Sequence, residues 1–218
     1  MADQLTLYND ALGHLKERVL VSLTENREPR RVLDAYWTDS VNYCLGQGLW
    51  LFAKRSVAIT ASTTLIPTFS WLYAFDIPED WIRTIDVSID PFFTIPLDFY
   101  SEEAGVWYAN CQPLYVRYVS SDPTYGWNLG AWPESFSEYV AMRLAVKACK
   151  RITRDDTLFE SLKKEERYYR IDARGKDAMN AAVGIRPMGT WVRSRYGAVG
   201  GGLFTPGSQS MGPDGDDF

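Results

Sequence analysis

The 218-residue sequence predicts an α+β fold: a bundle of about four helices with an inserted antiparallel β region and an extended C-terminal arm. Three observations predict it. Apolar residues recur at helical spacing in both flanks of the chain. Between Val57 and Ser121 the texture changes to β-branched and aromatic residues punctuated by proline and glycine. From Pro187 onward, eight glycines give a backbone costly to order, yet large apolar groups sit among them. Helices and strands that come in separate runs mean α+β, with no alternating βαβ pattern. The expected boundaries are 1–56 and 127–186 for the bundle, 57–126 for the β region and 187–218 for the arm.

The first helix is expected over TLYNDALGHLKERVL. Thr6 is the expected N-cap, and Leu7, Ala11, Leu12, Leu15 and Val19 form one apolar face. After the polar stretch SLTENREPRR, Pro29 suits the first turn of a second helix. Val32, Leu33, Tyr36, Trp37, Val41, Cys44, Leu45, Leu49 and Phe52 give that helix its spacing. It is expected to end near Lys54 and Arg55, where cations favour the C-terminal dipole. Gly46 and Gly48 form a GxG without a preceding strand, so they read as close helix packing and not as a phosphate loop.

Six stretches read as strands: VAITAST, FSWLYAFD, DWIRTIDVSID, LDFYSEE, GVWYANCQ and LYVRYVS. Pro67, Pro78, Pro91, Pro96 and Pro113 fall at their ends or mark bulges and edges. Short strands on short turns favour antiparallel pairing, in a small sheet or sandwich of five or six strands. Helix returns at Pro133-Glu134-Ser135. Its wide apolar stripe from Phe136 to Ile152 places it centrally in the bundle. Asp155 or Asp156 caps a fourth, heavily charged helix that is expected to end near Gly184.

Composition narrows the function. The 46% hydrophobic fraction supports a real core, and eight Trp and thirteen Tyr suit sheets and interfaces alike. A net charge of −5 and a pI near 5.0 argue against a protein built to grip nucleic acid. An acidic wall past which DNA slides without sticking stays compatible with it. Cys44, Cys111 and Cys149 are far apart and His14 is the sole histidine, so neither a zinc site nor any other metal site is expected. Buried, reduced thiols are expected instead. No signal peptide and no membrane-spanning stretch is read from the sequence.

Chemical motifs are scarce. GxSxG, GxxxxGK[ST] and HExxH are missing, so no catalytic residue and no cofactor is expected. His14 beside Lys16 and Glu17 reads as a solvated rim residue. The pairs Asp155-Asp156, Glu102-Glu103 and Glu165-Glu166 read as caps and solubilising charge, and not as a glycosidase pair. The acidic end at Asp214, Asp216 and Asp217 lacks the other ligands of a calcium loop. Between Lys163 and Lys176, KKEERYYRIDARGK alternates charge along a helix. It reads as a solvated face or as a contact surface for a neighbouring subunit. The end of the chain combines Arg186, Met188, Trp191, Val192, Arg193, Arg195, Tyr196, Leu203 and Phe204. Arginine and aromatic residues dominate binding hot spots. This arm reads either as a segment that orders on a partner or as a frayed terminus.

The pattern resembles a known family at several points. LYNDALGHLKERVLVSLTENREPRRVLDAYWTDSVNYCLGQGLWLFAKR resembles the N-terminal helical pair of bacteriophage head-to-tail adaptors, also called head–tail connectors or tail tubular protein A. FDIPEDWIRTIDVS resembles a recurrent strand start in that family. LYVRYVSSDPTYGWNLGAWPESFSEYVAMRLAVKACKRIT is similar to the strand that leads into its third helix. The resemblance spans roughly residues 5–184. It implies a structural virion protein at the head–tail junction, made in the host cytoplasm. It implies a ring, commonly of twelve copies, between the portal protein and a tail or nozzle protein. DNA would pass through the lumen without specific binding. The arm would reach the portal or a neighbouring subunit. Two other readings stand beside it: a stopper or other connector ring, and a carbohydrate-binding β module with Trp71, Tyr73, Trp81 and Trp107 as a stacking platform.

Overall fold

The computed structural model describes residues 3–181. The fold is α+β, with four helices and two small antiparallel three-stranded sheets. Helix α1 spans Gln4–His14 and α2 spans Glu28–Gly46. A single 3-10 turn at Leu51–Ala53 leads into β1, Lys54–Ile59. The strands β2 (Tyr73–Asp76), β3 (Trp81–Ser88), β4 (Ser101–Glu103), β5 (Val106–Ala109) and β6 (Leu114–Ser120) follow. The chain then returns to helix with α3 (Glu134–Ile152) and α4 (Asp156–Asn180).

Helix α3 is the axis of the bundle. Its apolar residues cover most of its circumference, and eleven of its nineteen residues are buried, from Ser135 to Cys149. Helices α1, α2 and α4 each pack on it. The large rings Trp50, Trp132, Phe136 and Tyr139 meet edge-to-face or tilted at centroid distances of 4.8–6.5 Å around its first turns. Asp155 caps α4, accepting from the backbone N–H of Thr157 at 2.8 Å and of Leu158 at 3.1 Å.

Three expected helix boundaries are corrected. Helix α1 begins at Gln4 after Asp3, so Thr6 lies inside it and is not the cap. It stops at His14 because Lys16 turns into the left-handed region and Asn9 clips the returning chain. The Asn9 amide accepts from Leu20 N–H at 2.7 Å and donates to the Leu20 carbonyl at 3.1 Å. Val19 is therefore exposed and leaves the apolar face. Helix α2 ends at Gly46, eight residues before the expected Lys54. Trp50 folds back over its end, and the indole N–H is shared between the Cys44 and Leu45 carbonyls at 3.0 Å each. Gly48 makes this possible, since a Cβ there would lie 2.6 Å from the indole ring. The close approach is thus by a ring and not by a second helix. Leu49 is left exposed, and Lys54 and Arg55 belong to β1.

The six expected strands all appear. One sheet has the order β1-β6-β3 and the other β2-β5-β4. Phe75, Trp107 and Ala109 of the second sheet meet Val87, Leu114, Val116 and Tyr118 of the first in a small core of their own. The β4–β5 hairpin turns on Ala104 and Gly105, both at positive φ, as a two-residue type I′ loop requires. Pro113 follows a cis peptide bond just before β6.

Strand β3 joins this core to the helical one. Its pairing with β6 slips twice, between Trp81 and Arg83 and between Thr84 and Asp86. Each slip is a bulge that inserts one residue. Trp81, Thr84 and Val87 lie opposite Ser120, Tyr118 and Val116 and stay on the inter-sheet face. The inserted residues, Ile82 and Ile85, turn to the other side and pack on the helical core beside Val119.

Candidate interaction surfaces

Two loops leave the first sheet at the end opposite to where β1 enters from the bundle. One connects β1 to β2 over residues 60–72 and contains no charged residue. The other connects β3 to β4 over residues 89–100. They touch where Trp71 packs on Phe99 with ring centroids 4.9 Å apart. Ile66, Phe69 and Phe92 are 80–85% exposed, and Leu72, Ile95 and Phe99 are exposed beside them. A scatter of single apolar residues needs no explanation, but this many exposed on two touching loops make the loops a candidate interaction surface.

The second loop is held in shape by Asp90. Its carboxylate accepts from the backbone N–H groups of Phe92 at 2.7 Å, Thr94 at 3.0 Å and Ile95 at 2.7 Å, and from the Thr94 hydroxyl at 2.9 Å. Desolvation pushes this carboxyl up, but the donors outweigh it and hold the group below the usual aspartate range. The buried Ser88 hydroxyl donates to the Ile95 carbonyl at 2.8 Å, and Pro96 bridges back to Ser88. Phe93 turns inward at φ 57°, its ring 3.6 Å beneath the Arg117 guanidinium. Phe92 and Ile95 are consequently presented outward on a fixed loop.

At the other end of the sheet, Asp80 clamps the strands to one another. It accepts from Arg55 of β1 at 2.8 Å, from the Tyr118 hydroxyl of β6 at 3.0 Å, and from Ser120. Burial alone would raise its carboxyl, but the bonds from Ser120, Arg55 and Tyr118 prevail and hold it below its ordinary value. Burial and the neighbouring Asp80 charge push the Tyr118 phenol up. Between the sheets, the Trp81 and Trp107 indoles donate to the Thr84 hydroxyl at 3.1 and 3.2 Å, and Thr84 donates to Glu102 at 2.6 Å.

The residues singled out from the sequence fall into three groups. Arg186, Met188, Trp191, Val192, Arg193, Arg195, Tyr196, Leu203 and Phe204 lie outside the described residues. The four rings of the stacking platform do not share an open face. Trp107 is fully buried, Trp81 and Tyr73 pack on the inter-sheet core, and Trp71 lies against Phe99. The carboxylate pairs are structural. Asp155 is a cap, Glu102 serves Thr84 and Trp107, and Glu166 pairs with Arg143 of α3 at 3.0 Å. His14 sits half-buried with its ring against Tyr169, centroids 6.0 Å apart. The three thiols are free, with Cys44 and Cys149 buried. Among the described residues, no group of three or more His, Cys, Asp and Glu is placed to hold a metal ion. No described helix is long and apolar enough to cross a membrane.

Sequence reasoning missed the apolar loops. The signal was present, since loops are ordinarily polar turn formers. Thirteen uncharged residues at 60–72 and the Phe92-Phe93 pair between two prolines break that rule. No protein-family model matches the chain, and no curated protein matches it.

Proposed function

We propose that the chain is a structural adaptor subunit of a bacteriophage head–tail junction, working by assembly and without chemical turnover. Copies form a ring, commonly of twelve, between the portal protein and a tail or nozzle protein, and DNA passes through the lumen. The observation that supports this most is the apolar end of the β region. Two touching loops, the second held in shape by Asp90 and Ser88, offer bare Ile66, Phe69 and Phe92 to a second protein. In this reading they meet the tail component. Arginine and aromatic residues between Arg186 and Phe204 meet the portal. Charge agrees with a conduit: residues 54–126 hold nine acidic side chains against four basic ones, a balance that discourages adhesion of phosphate.

Co-sedimentation with the cognate portal, with and without the tail component, tests this. The full chain binds both. A Trp191→Ala, Phe204→Ala chain stays folded and loses the portal. A Phe69→Ser, Phe92→Ser chain keeps the portal and loses the tail component. A folded wild-type chain that binds neither sinks the reading.

A further inference from the structure

We propose that α4 lays its outer face into the groove between α1 and α3 of a second copy of this chain. The inference rests on the adaptor reading for the ring, but the contact itself is argued from three features of the subunit.

The first is the outer face of α4. The helix is held to the bundle by one narrow seam through Leu162, Glu166, Tyr169, Ala173 and Asp177. On the opposite meridian stand Lys164, Tyr168, Ile171, Gly175 and Ala178, all exposed, separated by alternating steps of four and three. That is the spacing of a helix packed along a second seam. Tyr168 is 73% and Ile171 56% exposed, positions that a merely solvated helix fills with polar groups.

The second feature is a pair of glycines. Gly175 lies on that meridian and Gly13 near the end of α1. A Cβ added at either would meet nothing within 4 Å. A helical glycine weakens its helix relative to alanine, and among the described residues nothing uses the space. Close approach by another helix does use it.

The third is complementarity. A groove of about 830 Å³ runs between α1 and α3, and Gly13 lines it. Leu7, Trp132 and Ala141 contribute apolar lining, while Asp10, Glu134 and Glu138 make it acidic. Among the described residues these three carboxylates form no ion pair, and neither do Lys164, Arg167 and Arg174 beside the outer seam of α4. The nearby Lys176 is engaged by Asp172 at 2.7 Å. Laid in the groove, α4 sets its cations Lys164, Arg167 and Arg174 against the groove's acids. An amphipathic helix in a groove is a recurrent recognition mode. Because the two surfaces differ, the contact is head-to-tail and propagates from copy to copy, as a ring requires.

The test uses the full chain in a Cys111→Ser background, with Ser137→Cys in the groove and Ile171→Cys on α4. Sedimentation over a concentration series is followed by oxidation and denaturing electrophoresis. The double-cysteine chain gives a covalent ladder of dimers, trimers and larger species, while each single-cysteine chain stops at the dimer. Glu138→Lys and Arg167→Glu each weaken self-association by roughly tenfold, and the chain carrying both recovers it. All four positions lie at the surface or in the groove, and matched thermal unfolding confirms that the variants fold. Self-association without a ladder, insensitive to both charge reversals, overturns this contact and leaves the adaptor reading intact. A chain that stays monomeric and gives no ladder overturns it too. The adaptor reading falls only if portal co-sedimentation also fails.

Discussion

At the scale of single residues, Asp80 carries more of the β region than its position in a loop suggests. It precedes β3 and accepts from side chains of β1 and β6, so one carboxylate ties all three strands. Asp80→Ala strands the Tyr118 hydroxyl and the Arg55 guanidinium, at a cost of about 2–3 kcal/mol in chemical denaturation. The pH dependence has a definite sign. The folded carboxyl is held below its unfolded value, so its contribution is complete above the ordinary aspartate range. It is lost as pH falls through the depressed folded value. The stability gap between wild type and Asp80→Ala therefore narrows on acidification, and a constant gap across that range contradicts the clamp. The role of Asp80 was hidden in the sequence, because PED reads equally as a turn. Its partners lie 25 to 40 residues away.

At the scale of elements, the inner seam of α4 carries the Arg143–Glu166 pair, about 16% and 12% exposed, with the guanidinium 3.8 Å over the Tyr43 ring. Removing one member of a pair so withdrawn from water leaves a charge unmatched. Glu166→Ala costs about 3 kcal/mol in urea unfolding, whereas Glu166→Leu with Arg143→Met is close to neutral. Equal losses in the two variants would show that the cost does not come from leaving one buried charge unmatched. The elements also show what was legible. Six strands could be read because β-branched and aromatic runs end at prolines. The third helix could be read as central because its apolar stripe is wide. The end of α2 could not, since its terminator is the ring of Trp50 returning over Gly48, a tertiary event. The double bulge of β3 was equally hidden. Its Trp81, Thr84, Val87 spacing is three, which carries no strand periodicity until β6 supplies the register.

At the scale of the molecule, β3 makes the two cores mutually dependent. Ile82 and Ile85 enter the helical core while Val87 enters the inter-sheet core, and Trp81 packs against the latter. Neither core can open without pulling apart a strand of the other. Differential scanning calorimetry of the full chain is expected to give one transition for residues 3–181, with equal calorimetric and van't Hoff enthalpies. Two resolved transitions, one lost selectively on Ile85→Ala, would mean that the helices and sheets melt separately. The candidate surfaces were less legible than the fold. Charge alternation at 163–176 pointed to α4, but the acidic groove needs α1 and α3 brought side by side, and the apolar end needs two loops 17 residues apart to meet.

The bare loops at that end also govern the life of the chain before anything covers them. The subunit folds with these apolar side chains already on display and with no charged residue between positions 60 and 72 to keep copies apart. Its useful concentration thus has a ceiling set by collision between like ends, independent of how stable the fold is. If the proposed tail component covers these loops, its presence is expected to raise that ceiling, which light scattering over a concentration series with and without it would show.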